Sequence, residues 1–99
     1  MRESAIEAAL IKRVLALGGM VRKVSWPGRR GAPDRLVFLP GVLSCGKAGR
    51  IPPETVWVEL KAPGKTPDPH QEREHALLRK YGEHVRVIDS LEAIEEWLG

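Results

Sequence analysis

The sequence predicts an α/β fold in which a central mixed sheet is flanked by helices. Apolar residues recur at helical spacing near both ends of the chain, short β-like segments lie between them, and clusters of glycine and proline separate these elements. The predicted order of elements is α-β-β-β-α-β-α. A chain of 99 residues has the length of one domain, so a single domain over residues 1–99 is predicted.

The first helix is predicted over residues 3–17, where apolar side chains follow the helical period, and the pair Gly18-Gly19 ends it. A short strand over residues 20–25 comes next. It leads into the turn-rich stretch WPGRRGAP, which places paired arginines between glycines and prolines. Residues 35–39 are β-like and form the second predicted strand.

Residues 40–54 contain three prolines and three glycines, which predicts a loop or a hairpin insert. Residues 55–61 alternate most regularly in the chain and predict the third strand. The next helix begins after Asp68, a suitable N-cap, and Gln71 occupies the position of its capping-box partner. This helix should end near Tyr81, before Gly82.

The chain ends with a strand over residues 84–88 and a helix capped by Ser90. The apolar residues of this helix follow the helical period and should face inward: Leu91, Ile94, Trp97 and Leu98.

The composition is typical of a soluble globular protein, with 42% apolar and 29% charged residues. No apolar run approaches the roughly 20 residues of a membrane span, and the N-terminal stretch lacks the apolar core of a secretion signal. Cys45 is the only cysteine, so no internal disulfide can form. We therefore expect a protein of a reducing, cytoplasmic compartment, without a membrane partner.

The net charge of +3 is a weak signal, but its distribution is uneven. One region carries five cations against the single acid Asp34: Arg22, Lys23, Arg29, Arg30 and Arg35. Such a region favours a polyanionic partner, although a solvated loop with scattered arginines accounts for it about equally well.

Charged side chains stand at the ends of two predicted strands. In residues 55–61 alternation places Glu59 and Lys61 on one face, opposite the apolar face of Val56 and Val58. Asp34 precedes the strand of residues 35–39. If that strand pairs with the one carrying Glu59, the two carboxylates converge and supply the oxygen ligands that Mg²⁺ or Mn²⁺ prefers.

A third carboxylate lies on the first helix. Glu7 falls inside the apolar face, and a buried carboxylate requires a partner or a metal. Glu3 lies on nearly the same face in the first turn and is the less favoured choice. Each of these residues has a simpler interpretation when it is taken alone. Asp34 can be a turn residue, and Glu59 and Lys61 can form a surface ion pair. Their occurrence together with Glu7 favours an active site.

These residues form a known pattern. An acid on a first helix (Glu7), "APD" at residues 32–34 and "ELK" at residues 59–61 resemble the PD-(D/E)xK nuclease superfamily. The surrounding segments, SWPGRRGAPDRL and VWVELKAPGKTPDPHQEREHALLRKYGEHVRVIDS, closely resemble the VRR-NUC family, the virus-type replication-repair nucleases. The similarity covers almost the whole chain; the insert at residues 40–54 looks longer than usual, and Asp68 replaces the usual Ser or Thr cap.

The resemblance implies a restriction-endonuclease-like core that cuts DNA with Mg²⁺ or Mn²⁺. It implies Asp34 and Glu59 as main metal ligands, the main-chain carbonyl of Leu60 in the same shell, Glu7 acting through water, and Lys61 as catalytic lysine. It also implies a homodimer that acts on branched DNA, such as four-way (Holliday) junctions. Longer relatives act on flaps, and a non-catalytic DNA-binding module of the same fold is the alternative from another class.

Further residues are candidates with simpler alternatives. Gln71 matches a family position and can help to place the scissile phosphate, cap the helix, or do both. Arg29 and Arg30 are the main candidates for phosphate contacts, with solubility as the alternative. The other candidates for contact with DNA are Arg35, Lys65 and Trp26.

Overall fold

The computed structural model describes residues 1–43 and 50–99. Three helices and six strands follow one another in the order α1 Glu3–Ala16, β1 Met20–Lys23, β2 Arg35–Leu39, β3 Val42–Leu43, β4 Arg50–Ile51, β5 Glu54–Leu60, α2 Pro69–Lys80, β6 His84–Ile88 and α3 Leu91–Leu98. The predicted α/β class and order are confirmed. Within the predicted insert, β3 and β4 pair as an antiparallel ribbon, and the rest of the insert, residues 44–49, lies outside the described residues.

The main sheet has the strand order β1-β2-β5-β6. β2 is antiparallel to both β1 and β5, whereas β5 and β6 run parallel, so the sheet is mixed as predicted. The register pairs Arg35 with Val58. One step beyond this pair, Asp34 and Glu59 therefore lie opposite each other where β2 begins and β5 ends.

One face of the sheet is covered by α1 and α3. Their buried side chains meet the apolar side chains of the strands in one cluster, which consists of Ile6, Leu10, Val14, Val37, Val56, Val58, Leu60, Ile88 and Ile94. Full burial of a side chain of this kind contributes about 1.5–3 kcal/mol. The cluster therefore fixes the sheet and the first helix rigidly to each other.

Helix α2 packs on the opposite face, where it contacts β6 and reaches Glu59 through His75. Its start follows the sequence prediction, because the backbone N–H of Asp68 donates to Gln71 Oε1 at 2.8 Å. The guanidinium of Arg79 donates to the carbonyl of Val85 at 2.9 Å and ties the far end of α2 to β6.

Two details differ from the sequence prediction. β1 ends at Lys23, because the chain turns into the proline- and glycine-rich loop that follows. Leu91 is 40% exposed, so the expectation that it faces inward was wrong. It is the first residue of α3, where the helix has not yet crossed over the core, whereas Ile94 one turn later is buried. Among the described residues, no helix is long and apolar enough to cross a membrane.

Candidate active site

The two carboxylates at the strand ends are positioned by different means. Asp34 follows the fully buried Pro33, and its own carbonyl accepts the backbone N–H of Val24 at 2.9 Å. The backbone is thus fixed on both sides, while the side chain of Asp34 is 52% exposed. Asp34 therefore presents an exposed carboxylate from a fixed main chain at the end of the sheet.

Glu59 is a buried carboxylate with an exposed fraction of only 8%. Its Oε1 lies 3.2 Å from Nε2 of His75 on α2. Burial raises the pKa of Glu59 from 4.5 to about 7; the positive charge of Lys61 opposes this rise, and nearby carboxylates reinforce it. Those carboxylates are Asp34, Glu3 and Asp68. The site therefore concentrates negative charge around a carboxylate that is costly to ionise without a compensating cation.

Lys61 is held beside this acidic cluster by the continuation of the sheet. Its backbone N–H donates to the carbonyl of Ile88 at 3.0 Å, so the parallel pairing with β6 continues one residue beyond the end of β5. The ammonium acts electrostatically on both Glu59 and His75. Two of the three predicted strand-end groups, Glu59 and Lys61, thus share one end of β5, and Asp34 lies across from them.

Glu7 has a protein partner. Its carboxylate accepts from Nε of Arg35 and pairs with the same guanidinium through Nη2. Arg35 also reaches Asp34, with 3.1 Å between Nη1 and Oδ1. Burial alone would lower the pKa of Arg35, but the hydrogen bond to Glu7 and the charges of Asp34 and Glu7 raise it above its ordinary value. Arg35, predicted to contact DNA, is therefore a charged bridge between α1 and the start of β2.

A cleft of about 290 Å³ opens beside this bridge and is lined by Glu3, Ser4, Glu7, Arg35 and Leu60. It lies between the first turns of α1 and the end of β5. Both acids considered from the sequence, Glu3 and Glu7, line it. Glu7 is bound by Arg35, whereas the charge of Glu3 acts on Glu59.

The basic loop is packed onto the body of the protein. The indole N–H of Trp26 donates to the carbonyl of Pro33 at 2.8 Å, and its ring lies 5.1 Å from that of Trp57 at a tilt of 52°. Arg29 forms an ion pair with Glu74 on α2. A shallow groove of about 410 Å³ runs along this loop as far as Asp34. Trp26 thus stabilises the turn before Asp34. Its contact with DNA remains a prediction.

The remaining candidates lie around the site. Arg30 and Lys65 are exposed, and neither forms an ion pair with another described residue. Gln71 uses its Oε1 to cap α2, and so performs one of the two roles considered. Its role toward a phosphate remains a prediction, as do the catalytic and metal-binding roles of Asp34, Glu59, Lys61 and Glu7.

The donor set at the strand ends suits a hard cation. In residues 1–43 and 50–99, no group of three or more His, Cys, Asp or Glu side chains is arranged to hold a metal ion. A set of two carboxylates, Asp34 and Glu59, with the main-chain carbonyl of Leu60, consists of oxygen atoms only, and Mg²⁺ and Mn²⁺ complete such sets with water. A bound cation would offset the mutual repulsion of the carboxylates around Glu59.

Sequence reasoning missed the contact between His75 and Glu59. The signal was present in the helical period: Gln71, His75 and Leu78 share the inner face of α2, where a single buried residue, His75, lies opposite β5. A polar residue at the centre of a packed helix face requires a partner. The partner itself could not be identified without knowing how α2 lies on the sheet.

Comparisons with known proteins show what the chain as a whole is similar to. No family model matches the chain. A curated protein of Acyrthosiphon pisum secondary endosymbiont phage 1, named "Putative nuclease p44", is 47% identical over 90 residues, which cover 91% of this chain and 85% of the phage protein. A solved structure described as "VRR_NUC domain" superimposes with a TM-score of 0.76 at 40% identity, covering 95% of this chain and 90% of that one.

Proposed function

We propose that this chain, which belongs to the VRR-NUC family of nucleases, is a metal-dependent endonuclease that hydrolyses phosphodiester bonds in branched DNA. The observation that carries the proposal is the meeting of Asp34, Glu59 and Lys61 at one end of two adjacent strands. The unit proposed is one nuclease domain over residues 1–99. Its place of action would be the cytoplasm of a bacterium or of a phage-infected host.

The electrostatics of the site favour a cation as the partner of these acids. Glu59 is surrounded by the charges of Asp34, Glu3 and Asp68, and a phosphodiester would be repelled by this cluster. Asp34, Glu59 and the carbonyl of Leu60 would hold Mg²⁺ or Mn²⁺, and Glu3 or Glu7 would contribute through water. When bound, the metal would supply Lewis acidity toward a phosphate oxygen and lower the pKa of a bound water.

The protein's own groups then have separate roles. Lys61 carries its ammonium beside Glu59, where it can orient the attacking water and offset negative charge that develops in the transition state. Arg35 holds Glu7 and restrains Asp34, which limits the geometries that these acids can adopt. The products expected for this superfamily are a 5′-phosphate and a 3′-hydroxyl.

Four-way junctions are the proposed substrate, and the proposed assembly is a homodimer. Two active sites are needed to cut two strands of a junction, and one chain of this size provides one site. A flap- or single-strand-directed nuclease and a non-catalytic binding module are the alternatives. If sedimentation shows a monomer at assay concentrations, the flap-directed alternative becomes the better one.

Cleavage of labelled DNA tests the proposal. Four-way junction, flap, single strand and plain duplex are each incubated with the protein in Mg²⁺, Mn²⁺ or EDTA. We expect metal-dependent cuts, most rapid in the junction, that fall at least about 100-fold in Lys61→Ala. Lys12→Ala, which removes an exposed lysine of α1, is the matched control and should cleave normally. Binding without cleavage in either metal would favour the binding module.

A further inference from the structure

We infer that His75 is a positioning residue for Glu59: its imidazole holds one carboxylate oxygen and thereby directs the other toward the metal shared with Asp34. The inference rests on the proposed function and assigns a residue outside the PD-(D/E)xK pattern to the same site. It also gives α2 a role in catalysis, because His75 belongs to that helix and Glu59 to the sheet.

The contact between His75 and Glu59 is a buried hydrogen bond. His75 is 2% exposed, and its Nε2 lies 3.2 Å from Glu59 Oε1. A buried ring has few rotamers open to it, so the hydrogen bond fixes the carboxylate of Glu59 as well as contacting it. A glutamate held only by packing would lose more freedom on binding a cation.

The side chain of Glu59 keeps an exposed fraction of 11%. Within residues 1–43 and 50–99, Oε1 has His75 as its hydrogen-bond partner and Oε2 has no such partner. The two oxygens of Glu59 thus differ, because only Oε1 is held by α2.

Charged side chains lie near the buried ring of His75. Burial and the positive charges of Arg79 and Lys61 lower the pKa of His75, while Glu72 opposes this shift. Nε2 faces Oε1 of Glu59, so an N–H on this nitrogen can donate to the carboxylate.

Metal-dependent stabilisation provides the readout. Melting temperatures are measured without DNA in EDTA and across a Mn²⁺ and a Mg²⁺ titration, for wild type, His75→Leu and His75→Gln. We expect wild type to be stabilised, and His75→Leu to need about tenfold more metal for half of the shift. His75→Gln retains a side-chain N–H donor and should recover most of the response. Cleavage should show lower kcat and unchanged KM in His75→Leu.

Leu78→Ala is the matched control. Leu78 lies on the same face of α2, half-buried, and makes no hydrogen bond to the site. This variant should lower the melting temperature in EDTA and leave the metal titration midpoint unchanged. If His75→Leu behaved in the same way, His75 would be a core residue only, and the inference would be overturned while the proposed function stood.

Failure of the proposed function and failure of the inference about His75 give different results. A wild-type protein without any metal-dependent stabilisation or cleavage would overturn the proposed function and the inference together. If His75→Leu does not fold, His75→Gln is compared with His75→Asn, whose shorter amide does not reach Glu59. Equal metal responses of the Gln and Asn variants would reject a role for the hydrogen bond.

Discussion

At the scale of single residues, Glu59 is buried, although the proposed metal site requires its carboxylate to be ionised. In the absence of metal its pKa of about 7 lies above its ordinary value of 4.5, so the folded protein binds the Glu59 proton more tightly than the unfolded chain does. This contribution to stability is fully present below pH 4.5 and is lost as the pH rises through 7. Ionised Glu59 is therefore a cost to the metal-free fold at pH 8.

Replacing Glu59 by glutamine should remove this cost. We expect Glu59→Gln to raise the free energy of unfolding in EDTA by about 1–2 kcal/mol at pH 8, and to change it little at pH 5. For a domain of this size, 1 kcal/mol corresponds to about 4–8 °C in the melting temperature. Thermal unfolding of both proteins across this pH range measures the difference.

Comparing the variant with wild type at each pH distinguishes the effect of Glu59 from that of His75. The lowered pKa of His75 reduces the free energy of unfolding as the pH falls, whereas the raised pKa of Glu59 reduces it as the pH rises. A pH-independent difference between Glu59→Gln and wild type would contradict the assignment of a raised pKa to Glu59. Cleavage should be lost in the variant at every pH, because glutamine removes the negative charge.

The sequence was informative about these residues where local rules apply. Strand alternation placed Glu59 and Lys61 on the face opposite Val58, and the helical period indicated that Glu7 needs a partner. The partner is Arg35, which is 28 residues away in the chain. Pairings of this kind depend on how α1 lies over the sheet, and no local pattern encodes that orientation.

At the scale of elements, the turn before β2 controls Asp34. Gly31 has φ of +88°, and a Cβ at this position would lie 2.8 Å from the carbonyl oxygen of His70 at the start of α2. Only glycine allows the loop to approach the helix so closely. The same loop carries Trp26, whose indole holds the carbonyl of Pro33 next to Asp34.

Gly31→Ala should therefore displace the loop from α2. We expect a loss of about 2–3 kcal/mol in the free energy of unfolding and at least a tenfold loss of cleavage, because Asp34 moves with the loop. Gly28→Ala is the matched control: Gly28 also has a positive φ, of +76°, but a Cβ there meets nothing within 4 Å. It should lose only about 1 kcal/mol. Equal losses in both variants, measured by thermal unfolding, would show that the contact with His70 is unimportant.

The elements themselves were largely predictable. The pair Gly18-Gly19, the Asp68 cap and the Ser90 cap marked helix ends that the structure contains, and Ser90 Oγ accepts the N–H of Ala93 at 3.0 Å. The contact of Gly31 with α2 was not predictable. A glycine beside a proline indicates a turn, but which surface the turn meets depends on the packing of distant elements.

At the scale of the whole molecule, negative charge at the strand ends adjoins a basic loop. The net charge of +3 is small, so binding to DNA must depend on where the cations lie and which of them are available. Arg29 is paired with Glu74 on α2, whereas exposed Arg30 has no ion-pair partner among the residues that the structure describes. Two neighbouring arginines are therefore expected to differ in their contribution to DNA affinity.

Salt dependence of binding measures that difference. In the Lys61→Ala background and in EDTA, Arg30→Ala should weaken binding to a four-way junction and reduce the slope of log K against log salt by about one, the value for one lost phosphate contact. Arg29→Ala should change the slope by much less, because Glu74 already offsets its charge. Glu74→Gln frees Arg29 and should strengthen binding with a steeper slope. The opposite result would be equal slopes for Arg29→Ala and Arg30→Ala together with no effect of Glu74→Gln. Arg29 would then leave Glu74 to contact a phosphate in the complex, and the ion pair would exist only in the absence of DNA.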